Sequence, residues 1–211
     1  MIGILGGTFD PVHLGHLRTA LDVCEALVLD EVRLIPCHLP PHRGLPVASS
    51  AQRVKMLEAA VRDYPAFVVD QRELGREGPS YSFDTLTSLR AEPGAQGICL
   101  LIGMDAFRGL TSWHRWRELI ELCHLIVMTR PGAEIPAQGE LADFIKAHKV
   151  TGAGDLRQQA AGCLLFQPVT RLEISATDIR SRLAEGRSAG FLVPEAVREI
   201  INKEGLYRGR Q

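Results

Sequence analysis

Two histidines three residues apart, His13 and His16, follow a glycine pair, Gly6 and Gly7, in the stretch GGTFDPVHLGH. Residues of these types at this spacing suit a metal site, a phosphate cradle or an ordinary turn from strand into helix. At i and i+3 of a helix the two imidazoles project from one face toward the same point. Such a pair can ligate zinc, but H-E-x-x-H is absent and no third ligand is evident from spacing. The glycines let the backbone turn sharply and approach a ligand, because no Cβ intervenes. The start of a helix behind them supplies unpaired N–H groups and the positive end of the helix dipole, both suited to phosphate. Gly15 falls in the first helical turn, where glycine costs about 1 kcal/mol relative to alanine, and a closely bound ligand would explain it. The phosphate patterns G-x-G-x-x-G and G-x-x-x-x-G-K-[ST] are both absent here.

A second stretch with chemical content, ISATDIR, runs from Ile174 to Arg180. Ser175 and Asp178 fit the S-x-x-D capping pattern, which by itself describes a plain helix start. A capped helix start is also a phosphate site, with Thr177 and Arg180 one turn apart offering a hydroxyl and a forked cation.

Elements that position these residues follow from the hydrophobic pattern. Apolar runs predict strands at 2–5, 32–36, 66–70, 98–103, 124–130 and 163–169. Helical spacing predicts a first helix from about His13, carrying Leu14, Leu17, Leu21, Cys24 and Leu27, and further helices over 52–61, 82–90 and 116–122. The segment 131–162 has weak periodicity and is expected to hold one helix near LADFIKAH, while 175–186 and 194–205 close the chain as helices ending near glycines. This alternation predicts an α/β fold, a doubly wound and mainly parallel sheet with a C-terminal helical segment, in which ligands bind beyond the carboxyl ends of the strands. Residues 1–211 are expected to form a single domain, with 170–211 as its helical part.

Composition narrows the class. A formal net charge of −1, with 45% hydrophobic and 23% charged residues, is ordinary for a globular protein and offers no basic field for nucleic acid. The cysteines (Cys24, Cys37, Cys99, Cys123 and Cys163) are odd in number, lack C-x-x-C spacing and mostly lie in apolar runs, so they read as buried thiols in a reducing compartment. MIGILGG has neither the basic region nor the apolar length of a signal peptide, and no run approaches the ~20 apolar residues of a spanning helix. A cytoplasmic protein without membrane or nucleic-acid partners is expected, and a homo-oligomer remains compatible with these residues.

GGTFDPVHLGH resembles the G-x-F-x-P-x-H-x-G-H signature of the nucleotidylyltransferases, and ISATDIR resembles that family's second signature, I-S-S-T-x-I-R, with Ala176 in place of its second serine. PPHR (40–43), GPSYSFDTL (78–86), IGMDAFRGLTSWHRW (102–116) and GLYR (205–208) extend the likeness almost from end to end, toward the bacterial nicotinate-mononucleotide adenylyltransferases. The resemblance implies a Rossmann-like nucleotidylyltransferase fold. It implies adenylyl transfer from ATP to nicotinate mononucleotide, giving the deamido dinucleotide and pyrophosphate, with Mg2+ carried on the ATP phosphates and no metal held by protein side chains. It assigns catalysis to His13, His16 and Arg180. ATP falls to Gly6, Gly7, Thr8, Gly15, Asp105, Ile174, Ser175, Thr177 and Arg180. The mononucleotide falls to His42, Arg43, Ser82, Trp113, His114 and Arg130. In this assignment Trp113 stacks on the pyridine ring, while amides near Ser82 and His114 receive its carboxylate. Other phosphorylated acceptors, nicotinamide mononucleotide or phosphopantetheine, and a nucleotide-binding regulator without turnover are the alternatives.

Overall fold

The computed structural model describes residues 1–40, 44–92, 97–130 and 132–209. Its strands are β1 (Ile2–Gly7), β2 (Glu31–Pro36), β3 (Phe67–Val69), β4 (Ile98–Gly103), β5 (His124–Thr129) and β6 (Leu164–Pro168). They form one sheet in the order β3-β2-β1-β4-β5-β6, with every neighbouring pair parallel. Parallel strands covered on both faces need apolar side chains at nearly every position, which is why ICLLIG and HLIVMT carry so few polar residues. Alternate residues feed two separate cores. Leu5, Cys99, Leu101 and Ile126 enter one, and Ile4, Leu100, Ile102, Leu125 and Val127 enter the other.

The helices are α1 (Leu14–Leu27), α2 (Ser50–Val61), α3 (Ser82–Arg90), α4 (Met104–Arg108), α5 (Leu119–Leu122), α6 (Glu140–His148), α7 (Ala153–Leu156), α8 (Ala176–Ala184) and α9 (Glu195–Glu204). Helices α1, α2, α8 and α9 bury their apolar stripes in the first core, while α3, α5 and α6 bury theirs in the second. The sheet is therefore wound on both faces, as the alternation of strands and helices predicts. Ser49 fixes the start of α2 through a reciprocal capping box: its hydroxyl accepts from the Gln52 amide at 3.3 Å, and its own amide donates to the Gln52 side chain at 2.9 Å. Ile179 of α8, Val197 and Ile201 of α9, and Tyr207 just beyond α9 lie in the same core as residues of α1 and α2.

Local structure departs from the hydrophobic pattern in four places. Strand β1 runs on through both glycines, because Gly6 and Gly7 stay in register with Ile35 and Pro36 of β2. The five-residue α4 directly after β4 is too short to display a helical period. The segment 116–122 opens as a 3-10 turn over Trp116–Glu118 before α5 begins. Between 131 and 162 there are two helices, α6 and the four-residue α7, rather than one. All five cysteines are buried and unbridged, and no helix among the described residues is long and apolar enough to cross a membrane.

Candidate active site

Strands β1 and β4 are neighbours from which the chain departs to opposite faces of the sheet, so a crevice opens beyond Gly7 and Gly103. Its floor is bare backbone. Gly6 is exposed, and a Cβ placed there or at Gly103 would meet no atom within 4 Å.

The loop leaving β1 is held by groups from distant parts of the chain. Asp10, 3% exposed, accepts hydrogen bonds from the amides of Val47 (2.8 Å) and Ala48 (3.1 Å) and from the Tyr207 hydroxyl (2.7 Å). Arg53 of α2, 1% exposed, donates to the carbonyl of Thr8 at 2.8 Å and to the Ser50 hydroxyl at 3.1 Å. The buried Phe9 ring packs over Gly7, with φ at 50°. These anchors are costly to leave unpaired once desolvated, so the loop's conformation is heavily constrained before any ligand arrives.

His13 is the N-cap of α1, and its ring stacks on that of His16 with centroids 3.6 Å apart and planes at 26°. The edge of Phe9 meets His16 at 5.1 Å. Burial pushes the His13 imidazole down to about 4, so it is neutral at physiological pH, and its Nδ1 has no hydrogen-bond partner among the described residues. The Leu14 amide, first in the helix, is taken by the carbonyl of Leu192 at 2.9 Å. That corrects the expectation of a wholly free helix start, since at least one of its donors serves the fold.

The second stretch meets the first here. A Cβ on Gly15 would lie 3.0 Å from the His13 ring and 3.5 Å from the Ile174 carbonyl. Glycine at this position thus makes room for the protein's own His13 imidazole, while the Ile174 carbonyl stays at ordinary contact distance. Ser175 caps α8, its hydroxyl accepting from the Asp178 amide at 3.1 Å. Arg180 spans the two stretches: one guanidinium nitrogen donates to the Asp10 carbonyl at 2.7 Å and another lies 3.4 Å from the Thr177 hydroxyl. Thr177 itself is exposed.

Across the crevice, Ser82 is the first residue of α3. The preceding Tyr81 lies against the His114 ring with centroids 4.6 Å apart, and Phe83 meets the same ring edge-on at 6.3 Å. The Ser82 and His114 segments are thereby brought together, with a half-buried Trp113 beside them. Trp116, three residues on, is the tryptophan that belongs to the core. Asp105 projects fully into solvent from the first turn of α4, 3.8 Å from Arg108. Arg130 is exposed just past the end of β5. His42 and Arg43 lie outside the described residues. No group of three or more His, Cys, Asp or Glu side chains that could hold a metal ion lies together among the described residues.

The reading of the residues missed Asp10, Arg53 and Tyr207. Asp10 sits inside GGTFDPVHLGH and Tyr207 inside GLYR, but neither displays its partner locally. A charged residue on the apolar side of a helix was the only signal for Arg53.

Comparison with known proteins gives the family and the fold. Residues 4–182 match the cytidylyltransferase-like family model. The chain is similar to a protein of Methylococcus capsulatus named "Probable nicotinate-nucleotide adenylyltransferase", 50% identical over 208 residues that cover 98% of this chain and 99% of that one. A Halorhodospira halophila protein of the same name is 50% identical over 206 residues, covering 98% and 94%. Among solved structures, the fold matches the nicotinic acid mononucleotide adenylyltransferase of Plasmodium falciparum complexed with NaAD, at a TM-score of 0.71 and 16% identity, covering 98% of this chain and 96% of that one.

Proposed function

Because the chain belongs to the cytidylyltransferase-like family and, within it, to the nicotinate-nucleotide adenylyltransferases, we propose that the crevice beyond β1 and β4 joins ATP to nicotinate mononucleotide. The reaction yields nicotinate adenine dinucleotide and pyrophosphate, a step of NAD biosynthesis. A phosphate oxygen of the mononucleotide attacks the α-phosphorus of ATP. The new P–O bond forms as the bond to the bridging α,β-oxygen breaks, and pyrophosphate departs with that oxygen.

The mononucleotide is already an anionic nucleophile, so no covalent enzyme intermediate is needed. What the protein supplies is alignment, worth up to about 7–11 kcal/mol, and donors aimed at developing charge, worth about 2.7–4 kcal/mol each. The contact between the two separated stretches, with Arg180 donating to Asp10 at 2.7 Å, is the observation that carries this reading. It sets His13, His16, Thr177 and Arg180 around one end of the crevice. A neutral His13 offers phosphate an N–H donor from one ring nitrogen. In this reading Gly6, Gly7, Thr8, Gly15, Ile174 and Ser175 line the ATP phosphates, and Asp105 meets the ribose. Mg2+ carried on the ATP phosphates would neutralise phosphate charge, with no protein side chain needed to hold it. A donor set of amides, imidazoles and guanidinium fits a cation held by phosphate oxygens and water.

On the acceptor side, the N–H of Ser82 and an amide near His114 would receive the pyridine carboxylate, and Trp113 its ring face. His42, Arg43 and Arg130 are proposed for its phosphate. Five free, buried thiols suit a reducing cytoplasmic setting.

An acceptor panel tests the reading. With ATP and Mg2+, the purified protein should release pyrophosphate fastest with nicotinate mononucleotide. Faster release with nicotinamide mononucleotide or phosphopantetheine, or ATP binding with no release from any acceptor, would overturn it.

A further inference from the structure

The segment after β2 and the first turn of α3 meet over a buried carboxylate that has no part in the reaction as described. Glu73 is 7% exposed and lies in the turn between β3 and α3. It accepts the Thr85 hydroxyl at 2.6 Å, with the Arg76 guanidinium 3.7 Å away and donating to the same Thr85 oxygen. Ser80 carries the link onward: its Oγ accepts from the His38 amide at 2.9 Å, and its own amide donates to the Leu39 carbonyl at 2.9 Å. Thr85, 3% exposed, donates its amide to Tyr81 at 3.2 Å and so closes the first turn of α3. Ser80 thus ties the His38–Leu39 segment to the residues that open α3, while Thr85 ties that same first turn to the Glu73 carboxylate. Burial raises the Glu73 carboxyl, and these hydroxyls together with Arg76 oppose that shift.

We propose that Glu73 is a positioning residue for the acceptor nucleotide, holding the His38–Leu39 segment and the first turn of α3 in one fixed register. The proposal rests on the acceptor reading above, in which the Ser82 amide at that first turn receives the pyridine carboxylate. Loss of the carboxylate leaves the proton of the buried Thr85 hydroxyl without its acceptor and loosens the first turn of α3 against the His38–Leu39 segment. The ATP side keeps its own anchors at Asp10, Arg53 and Arg180. A small misplacement of substrate is costly in rate and affinity, so the effect should fall on one substrate only.

Steady-state kinetics for both substrates, with thermal melts, would be measured on the unsubstituted protein and on Glu73→Ala, Glu73→Gln and Thr85→Val. Glu73→Ala should raise KM for nicotinate mononucleotide by about tenfold or more and leave KM for ATP within about twofold. Glu73→Gln should recover most of that loss, because an amide oxygen still accepts the Thr85 hydroxyl, and Thr85→Val should fall between them. A lowered Tm with both KM values unchanged, or both raised equally, would overturn the proposal by making Glu73 merely structural. If Glu73→Ala does not fold, an unchanged mononucleotide KM in both Glu73→Gln and Thr85→Val overturns it. Failure of the unsubstituted protein to use the mononucleotide would instead defeat the reaction assigned above, and this proposal with it.

Discussion

On the proposed nucleotide side of the crevice, the loop from Thr8 to Val12 is clamped by Arg53 from α2 and Arg180 from α8, and its own Asp10 is bonded to Val47, Ala48 and Tyr207. On the proposed acceptor side, the Ser80–Phe83 and Trp113–Arg115 stretches are joined by ring contacts, with hydroxyl bonds tying Ser80 to His38 and Thr85 to Glu73, and His114 and Arg115 are exposed. Charge-assisted, desolvated anchors suit a cradle whose donors must be in place before charge develops. Loops tied by rings and hydroxyls admit changes of shape at lower cost, which is where discrimination between acceptors is built. In the reading proposed above, chemistry falls to one wall and selectivity to the other, and the two are held by different kinds of bond.

The sharpest way to break this contrast is at His16. His16→Ala should lower kcat by about 100- to 1,000-fold with an unchanged melting temperature, as expected for loss of one donor to developing charge. Pyrophosphate release checks it, and near-normal turnover would move the chemistry off this wall.

Acidification tests the buried partner. His13 falls from 6.5 in the unfolded chain to about 4 when folded, so between those values the unfolded state binds the extra proton. The His13 contribution is therefore fully favourable above pH 6.5 and is lost as pH falls toward 4, a change of roughly 3 kcal/mol. Denaturant titrations across this range should show that slope in the unsubstituted protein and a shallower one in His13→Asn. Equal slopes would sever the link between burial of this wall and its protonation state.

The smallest effects belong to Ser82. It is the first residue of α3, where proline fits, and the preceding Tyr81 has φ −90° and ψ 132°, a conformation that proline tolerates after it. Ser82→Pro therefore deletes one N–H while leaving the helix intact. It should raise KM for nicotinate mononucleotide by about tenfold, the loss of one hydrogen bond to a charged group, whereas Ser82→Ala should change it by less than about twofold. Equal KM values for both variants, read from initial rates, would remove the backbone amide from the acceptor wall.

Much of the nucleotide wall is legible from the chain because its residues are contiguous: GGTFDPVHLGH contains strand end, turn and helix start, and ISATDIR contains a cap with a cation one turn on. The parallel, doubly wound sheet follows from the alternation of apolar runs with helical spacing, and strand and helix bounds agree to within a few residues. What escaped the reading is tertiary. The pairing of Asp10 with Tyr207, of Arg53 with Thr8, and of the Leu14 amide with Leu192 joins residues whose separation leaves no local trace. Helices α4 and α7 were missed because five and four residues do not complete a recognisable period. On the proposed acceptor wall Ser82, Trp113 and His114 are named only through a resemblance, and Glu73 carries no local sign of its burial.

The hydrogen bond from Tyr207 to Asp10 also bears on synthesis. A growing polypeptide emerges amino end first, at about 5–20 residues per second, so His13 and His16 are made well before Tyr207. A chain still on the ribosome carries both histidines before Tyr207 can clasp the loop that precedes them. That loop thus matures only after Tyr207 has joined it, and a chain broken off before Tyr207 leaves Asp10 one hydrogen bond short.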